Sequence, residues 1–151
     1  MNAMSKRRFA MLFLAAVIGA GAVATVLAAD EKKHVEDTPL EKQMAVINSN
    51  YKKLRTDVRR GTFGDAQLKL VREMQVASVL SMAETPKLTA KKSEAEQKQF
   101  VIDYKKGMIK LTNTFFDLEL AMLAGDKPAV EKIMDDLSKQ KSEGHDKFTE
   151  Q

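Results

Sequence analysis

Two kinds of side chain in this sequence bind metals without carrying charge. They are the imidazole of His145 and the thioethers of Met44, Met74, Met82, Met108, Met122 and Met134. His145 falls in the stretch from Asp126 to about Phe148, where Val130, Met134, Leu137, Lys141, His145 and Phe148 recur at three- and four-residue steps. That spacing puts them on one face of a helix. An imidazole on a buried face needs a partner for each ring nitrogen, either a hydrogen-bonding group or a metal. An imidazole nitrogen facing a thioether sulfur across a protein core is a donor pair for the axial positions of a haem iron. Neither donor is charged, so the pair escapes the desolvation cost of a buried ion pair. The same residues also read as core: a hydrogen-bonded histidine beside methionines that fill space. His34 has no apolar context and reads as a solvated tail residue.

Four amphipathic stretches would position these donors. Thr38-Pro39-Leu40-Glu41 is a capping box with proline in the first turn. Leu40, Met44, Ile47, Tyr51, Leu54 and Val58 then follow in a 4-3-4-3-4 rhythm that predicts a bundle helix ending at Arg60-Gly61. A second helix is predicted with Asp65 as its cap, an inner face of Leu68, Val71, Gln75, Ser78 and Met82, and a flank widened by Leu70, Met74 and Leu80. Thr85-Pro86 ends it, and Lys87 to Lys92 forms the longest break. Ser93 and Glu96 make another capping box. The third helix carries Val101, Tyr104, Met108, Leu111, Phe115, Leu118 and Met122 at 3-4 spacing, and Gly125 closes it as a left-handed residue. Asp126 caps the fourth helix, with Pro128 in its first turn. No stretch alternates as a strand does. The fold class is therefore all-α, an antiparallel up-down-up-down four-helix bundle.

In that topology the first helix starts where the fourth ends. Met44 and His145 share one end of the bundle and both point inward by phase. Met82 lies at the same end, so periodicity alone leaves the choice of sulfur open.

Lys6, Arg7 and Arg8 precede an apolar run from Phe9 to Leu27, and Val26-Leu27-Ala28 suits a signal peptidase. Residues 1–28 are read as a signal peptide, 29–37 as a flexible lead-in and 38–151 as the bundle. An uncut leader would instead tether the protein to a membrane. The Arg7-Arg8 pair hints at twin-arginine export, but the residues after it favour ordinary secretion. The full chain of 151 residues is formally +4, with 25 basic and 21 acidic residues. Three of the basic residues and none of the acidic ones lie in the leader, which leaves 22 against 21, or +1. No basic patch is interleaved with aromatics, so nucleic-acid binding is not supported. There is no cysteine. This excludes disulfides, thiolate-held metals, iron–sulfur clusters and covalent haem attachment. No G-x-S-x-G or phosphate-binding glycine loop is present.

From Leu40 to Phe148 the chain resembles the cytochrome b562 family of soluble periplasmic haem proteins, itself a standard instance of the four-helix bundle. Leu40-Glu41-Lys42-Gln43-Met44 is similar to the family's segment carrying a methionine ligand. Thr85-Pro86-Lys87-Leu88 is similar to its central loop. Asp103-Tyr104-Lys105-Lys106-Gly107-Met108 is similar to a third-helix stretch whose aromatics line the haem pocket. His145-Asp146-Lys147-Phe148 is similar to its His-x-Lys-aromatic terminus, in which the histidine binds iron. The resemblance implies non-covalent haem b, iron held by Met44 and His145, and Tyr104 and Met108 against the cofactor. Met108 replaces an aromatic. Thr149 stands where the family typically has an arginine near the propionates, with Lys141, Lys147 and Lys106 as possible substitutes.

The expectation is a monomeric, periplasmic electron carrier rather than an enzyme. It would bind haem and unidentified redox partner proteins, with no nucleic acid and no stable membrane association once the leader is removed. The alternative is a haem-free periplasmic bundle that binds a protein partner.

Overall fold

The computed structural model describes residues 37–149. The leader, the cleavage triplets, His34 and the lead-in as far as Glu36 lie outside the described residues. Four α-helices follow one another: α1 (Pro39–Arg59), α2 (Asp65–Ser81), α3 (Glu94–Leu123) and α4 (Lys127–Phe148). A short 3-10 turn, Lys87–Lys91, lies between α2 and α3. Among the described residues there is no strand.

The ends form as the capping chemistry dictates. The Thr38 amide donates to Glu41 Oε2 at 2.8 Å and the Glu41 amide donates to Thr38 Oγ1 at 3.3 Å. The Ser93 amide donates to Glu96 Oε2 at 3.1 Å, and the Ala129 amide to Asp126 Oδ1 at 3.0 Å. Gly125 takes φ +67°, the left-handed geometry that lets α3 stop and α4 begin two residues later. The cap of α2 differs from expectation. Gly64, in extended backbone, occupies that position and Asp65 is the first helical residue. Its carboxylate then complements the positive end of the helix dipole.

Side-chain bonds fix the pairing directions. Asn50 bonds Glu73 and Gln67 bonds Asp57, which makes α1 and α2 antiparallel. Gln75–Glu119, Thr112–Ser78 and Tyr104–Ser81 do the same for α2 and α3. Gln140–Thr114 and Lys147–Asp103 do so for α3 and α4. The up-down-up-down bundle follows.

The core is not evenly spread. Its buried cluster holds Tyr51, Leu54, Val58, Val71, Met74, Phe115, Leu118, Met122, Val130, Met134 and Leu137. These come from the second half of α1, the first half of α2, the second half of α3 and the first half of α4. Toward the other end the α1 seam opens, and Leu40, Met44 and Ile47 are only half-buried. Helices α1 and α2, α2 and α3, and α3 and α4 pack along their length, whereas α1 and α4 barely meet. On α2, Leu80 proves exposed rather than part of the inner face, and Ala77 and Ser81 are buried instead. The helix is turned so that small residues meet its neighbours, and Ser81 returns its hydroxyl to Ala77 O at 2.8 Å.

Candidate functional site at the open end of the α1–α4 seam

One hydrogen bond sets the register between the two helices that carry the candidate donors. The Lys141 ammonium donates to Asn48 Oδ1 at 2.7 Å, joining α4 to α1. Met44 lies one helical turn before Asn48 and His145 one turn after Lys141. Because the helices run in opposite directions, both steps lead toward the same end of the bundle, each by about 6 Å. Thioether and imidazole therefore stand at one level on facing helices.

Their burial departs from the phase argument. Met44 is half-buried, but His145 is exposed. With Ser138, Lys141 and Ser142 the histidine lines a shallow recess of about 320 Å³. The inner face of α4 is buried at Val130, Met134 and Leu137, then emerges at Lys141 and His145. The cause is the scant packing of α1 on α4, which leaves the last two turns of that face accessible. No buried hydrogen-bond partner holds the imidazole, so the reading of His145 as a packed core histidine loses its support.

The last turn of α4 packs on α3. Tyr104 and Met108 are both buried, and the Tyr104 hydroxyl donates to Ser81 O at 2.9 Å. Burial, with Glu84 nearby, pushes the Tyr104 phenol up to about 12. Phe148, at the end of α4, sets its ring edge-on to Phe100 at 5.3 Å and to Tyr104 at 5.5 Å. It also packs over Gly107, where an added Cβ would sit 3.6 Å from the ring. Lys147 anchors the same turn by donating to Asp103 at 2.9 Å. That bond, followed by one from Gln99, holds the Asp103 carboxyl below its usual range.

Tyr51 lies two turns along α1 from Met44. It is 6% exposed, its hydroxyl has no hydrogen-bond partner, and the Lys141 ammonium stands 5.8 Å from its ring centre. Gln140 Oε1 on α4 is likewise buried without a partner. Tyr51 belongs to the buried core, as its phase in the α1 seam predicts, and Lys141 reaches its ring from α4. Met82 is half-buried just past the C-terminal end of α2, next to Ser81, whose carbonyl accepts from Tyr104.

These residues fit a haem. The candidate pair is neutral and its members stand at one level on α1 and α4. The α3 face under the end of α4 is buried and largely apolar, and the buried polar atoms nearby include the unpaired Tyr51 hydroxyl. Among the described residues no three His, Asp or Glu side chains cluster to hold a bare ion. A metal here would need equatorial ligands of its own.

Comparison with known proteins agrees with this. A family profile described as Cytochrome b562 matches residues 39–149, well over half of the chain. Neither the search of curated proteins nor that of solved structures returns a match.

Proposed function

We propose a function from one premise: the chain belongs to the cytochrome b562 family, a family of haem-binding, electron-transfer helical bundles. On this reading the protein is a periplasmic carrier of single electrons. Met44 and His145 would hold the iron of a non-covalent b-type haem. The observation that carries the ligand assignment is the Lys141–Asn48 bond, which brings residues 44 and 145 to one level.

When bound, the haem supplies one-electron chemistry through its iron. The chain supplies everything that tunes it. Met44 contributes a soft sulfur that favours the reduced metal. His145 contributes the nitrogen donor. Tyr104, Met108 and Phe148 keep water from the α3 side. Lys141 lies on the rim beside His145 and its hydrogen-bond partner, Asn48, is neutral. Lys147 is committed to Asp103. Lys141 is therefore the cation best placed for the carboxylates of the cofactor. With two protein donors committed to the iron, the group would offer no open position to a substrate, which fits a carrier rather than an enzyme. Among the described residues no helix is long and apolar enough to cross a membrane.

Titrating the purified chain with hemin tests this. A sharp low-spin Soret band should saturate at one equivalent, and acidic organic solvent should then extract all the colour, since there is no cysteine to retain it. Failure to develop that band would favour the haem-free, partner-binding alternative.

A further inference from the structure

Lys141 divides the groove between α1 and α4 where it crosses to Asn48. The recess beside His145 lies on one side of that bond. A second recess, of about 290 Å³, lies on the other, lined by Arg55, Val58, Arg59, Glu131, Met134 and Asp135. The same register accounts for its make-up. Arg55 follows Asn48 by seven residues and Met134 precedes Lys141 by seven, so the two stand at one level about 10 Å from the bond. The recess exists because α1 and α4 barely pack. Val58 and Met134, each 5% exposed, form its floor.

Its walls carry opposite charge. On α1, Arg55 and Arg59 are exposed and one turn apart; on α4, so are Glu131 and Asp135. Like charges one turn apart on a helix repel, so each wall is unfavourable by itself. Nearby carboxylates are engaged elsewhere: Asp57 accepts from Gln67, and Asp136 is held by Lys132 and Lys139. Among the described residues no ion pair joins Arg55 or Arg59 to Glu131 or Asp135.

That pattern selects an occupant by charge. A bare cation meets two guanidiniums, and a bare anion meets two carboxylates. A neutral molecule leaves all four groups unmatched. A molecule carrying both signs satisfies both walls. Two guanidiniums one turn apart can grip one carboxylate through paired N–H donors. Two carboxylates can share the three N–H donors of one ammonium. The volume falls at the lower edge of the roughly 300–1,000 Å³ typical of drug-sized ligands, which calls for something smaller. The apolar floor suits a short hydrocarbon side chain.

We propose that this second recess binds a free α-amino acid with an apolar side chain. Its carboxylate lies on Arg55 and Arg59, its ammonium on Glu131 and Asp135, and its side chain over Val58 and Met134. The site is independent of the haem reading, since it shares no lining residue with the recess at His145.

Titration of the purified protein with L-leucine, followed through its amide chemical shifts by nuclear magnetic resonance, tests this. Saturable shifts should cluster at residues 55–59 and 131–135, with and without hemin. N-acetyl-leucine lacks the ammonium and leucinamide lacks the carboxylate. Each should bind about tenfold more weakly or worse, for want of one set of charge-assisted hydrogen bonds. Arg55→Ser with Arg59→Ser should abolish the leucine shifts and keep the parent's helix content, both positions being exposed. Glu131→Gln with Asp135→Asn should do the same. Absence of a saturable shift with millimolar leucine overturns the proposal. So do equal affinities for the three probes, or binding that survives either double variant. A further outcome also sinks it: each double variant lowers the melting temperature of the ligand-free protein, and combining them lowers it no more. The four charges would then pair with one another in solution and leave no site.

Discussion

At the scale of single residues, the assignment turns on which sulfur and which nitrogen reach the metal. His145→Ala should abolish the low-spin spectrum of the haem-loaded protein. Met44→Ala should yield high-spin or water-bound iron at a lower potential. With Met44 as the sulfur donor, Met82→Ala should change packing modestly and leave the spectrum intact. If Met82→Ala alone converts the iron to high spin, the ligand assignment is wrong and the fold is untouched. Tyr51 gives a test in the haem-free protein. A buried hydroxyl without a partner costs about 1–3 kcal/mol, so Tyr51→Phe should raise the melting temperature of the apo-protein. A lower temperature would show that the hydroxyl is partnered in solution. Residue type and phase brought His145 and two sulfurs, Met44 and Met82, to one end of the bundle. They did not reveal the exposure of His145, which follows from the scant α1–α4 packing. Nor did they reveal its level with Met44, because Lys141 reads as one more charged residue until its bond to Asn48 joins two positions 93 apart.

At the scale of elements, the caps and seams carry most of the fold. The α1 start couples two devices: Glu41 closes the capping box with Thr38 and also accepts from Lys87 of the 3-10 turn at 2.6 Å. The Lys87 bond and then those from Thr38 hold its carboxyl down to about 2, against 4.5 when free. A carboxyl lowered by folding stabilises the folded state above its unfolded pKa and loses that contribution as pH falls through the folded one. The parent should therefore lose its advantage over Glu41→Gln between pH 4.5 and about pH 2. Parallel melting curves across that window would contradict the link. Leu54 and Phe115 are fully enclosed. Leu54→Ala should cost about 2–5 kcal/mol and Phe115→Ala about 3–5. These seam positions were legible because a 3-4 rhythm admits one buried face. On α2 the predicted face holds at Val71, Gln75 and Ser78, and Met74 on its flank is buried as well. The edge of that face was not legible: Leu80 is exposed, and the small residues Ala77 and Ser81, with little apolar signal, are buried instead. The Gly64 cap was missed because a glycine offers no side-chain signal, while Asp65 beside it does.

At the scale of the whole molecule, the enclosed core and the proposed site occupy different ends of the bundle. The enclosed cluster from Tyr51 to Leu137 lies toward the α1–α2 and α3–α4 turns. The first turns of α1 and the last turns of α4 pack little on each other and carry the proposed donors, Met44 and His145. Local opening follows local packing, so in the apo-protein amides of residues 40–48 and 141–148 should exchange with solvent well before those of 51–58 and 115–122. A ligand that binds only the folded state adds about 2.7 kcal/mol at a hundredfold excess over its Kd, on the order of 10 °C in melting temperature for a domain of this size. If Met44 and His145 hold the iron, that gain should appear as protection at the loosely packed end, since the bound group would then join the two helices that barely touch. Hemin should therefore slow exchange at 40–48 and 141–148 much more than in the enclosed cluster. Uniform slowing along all four helices would mean that the cofactor acts on global stability alone. No slowing at 141–148, with haem demonstrably bound, would place the binding site away from the α1–α4 seam.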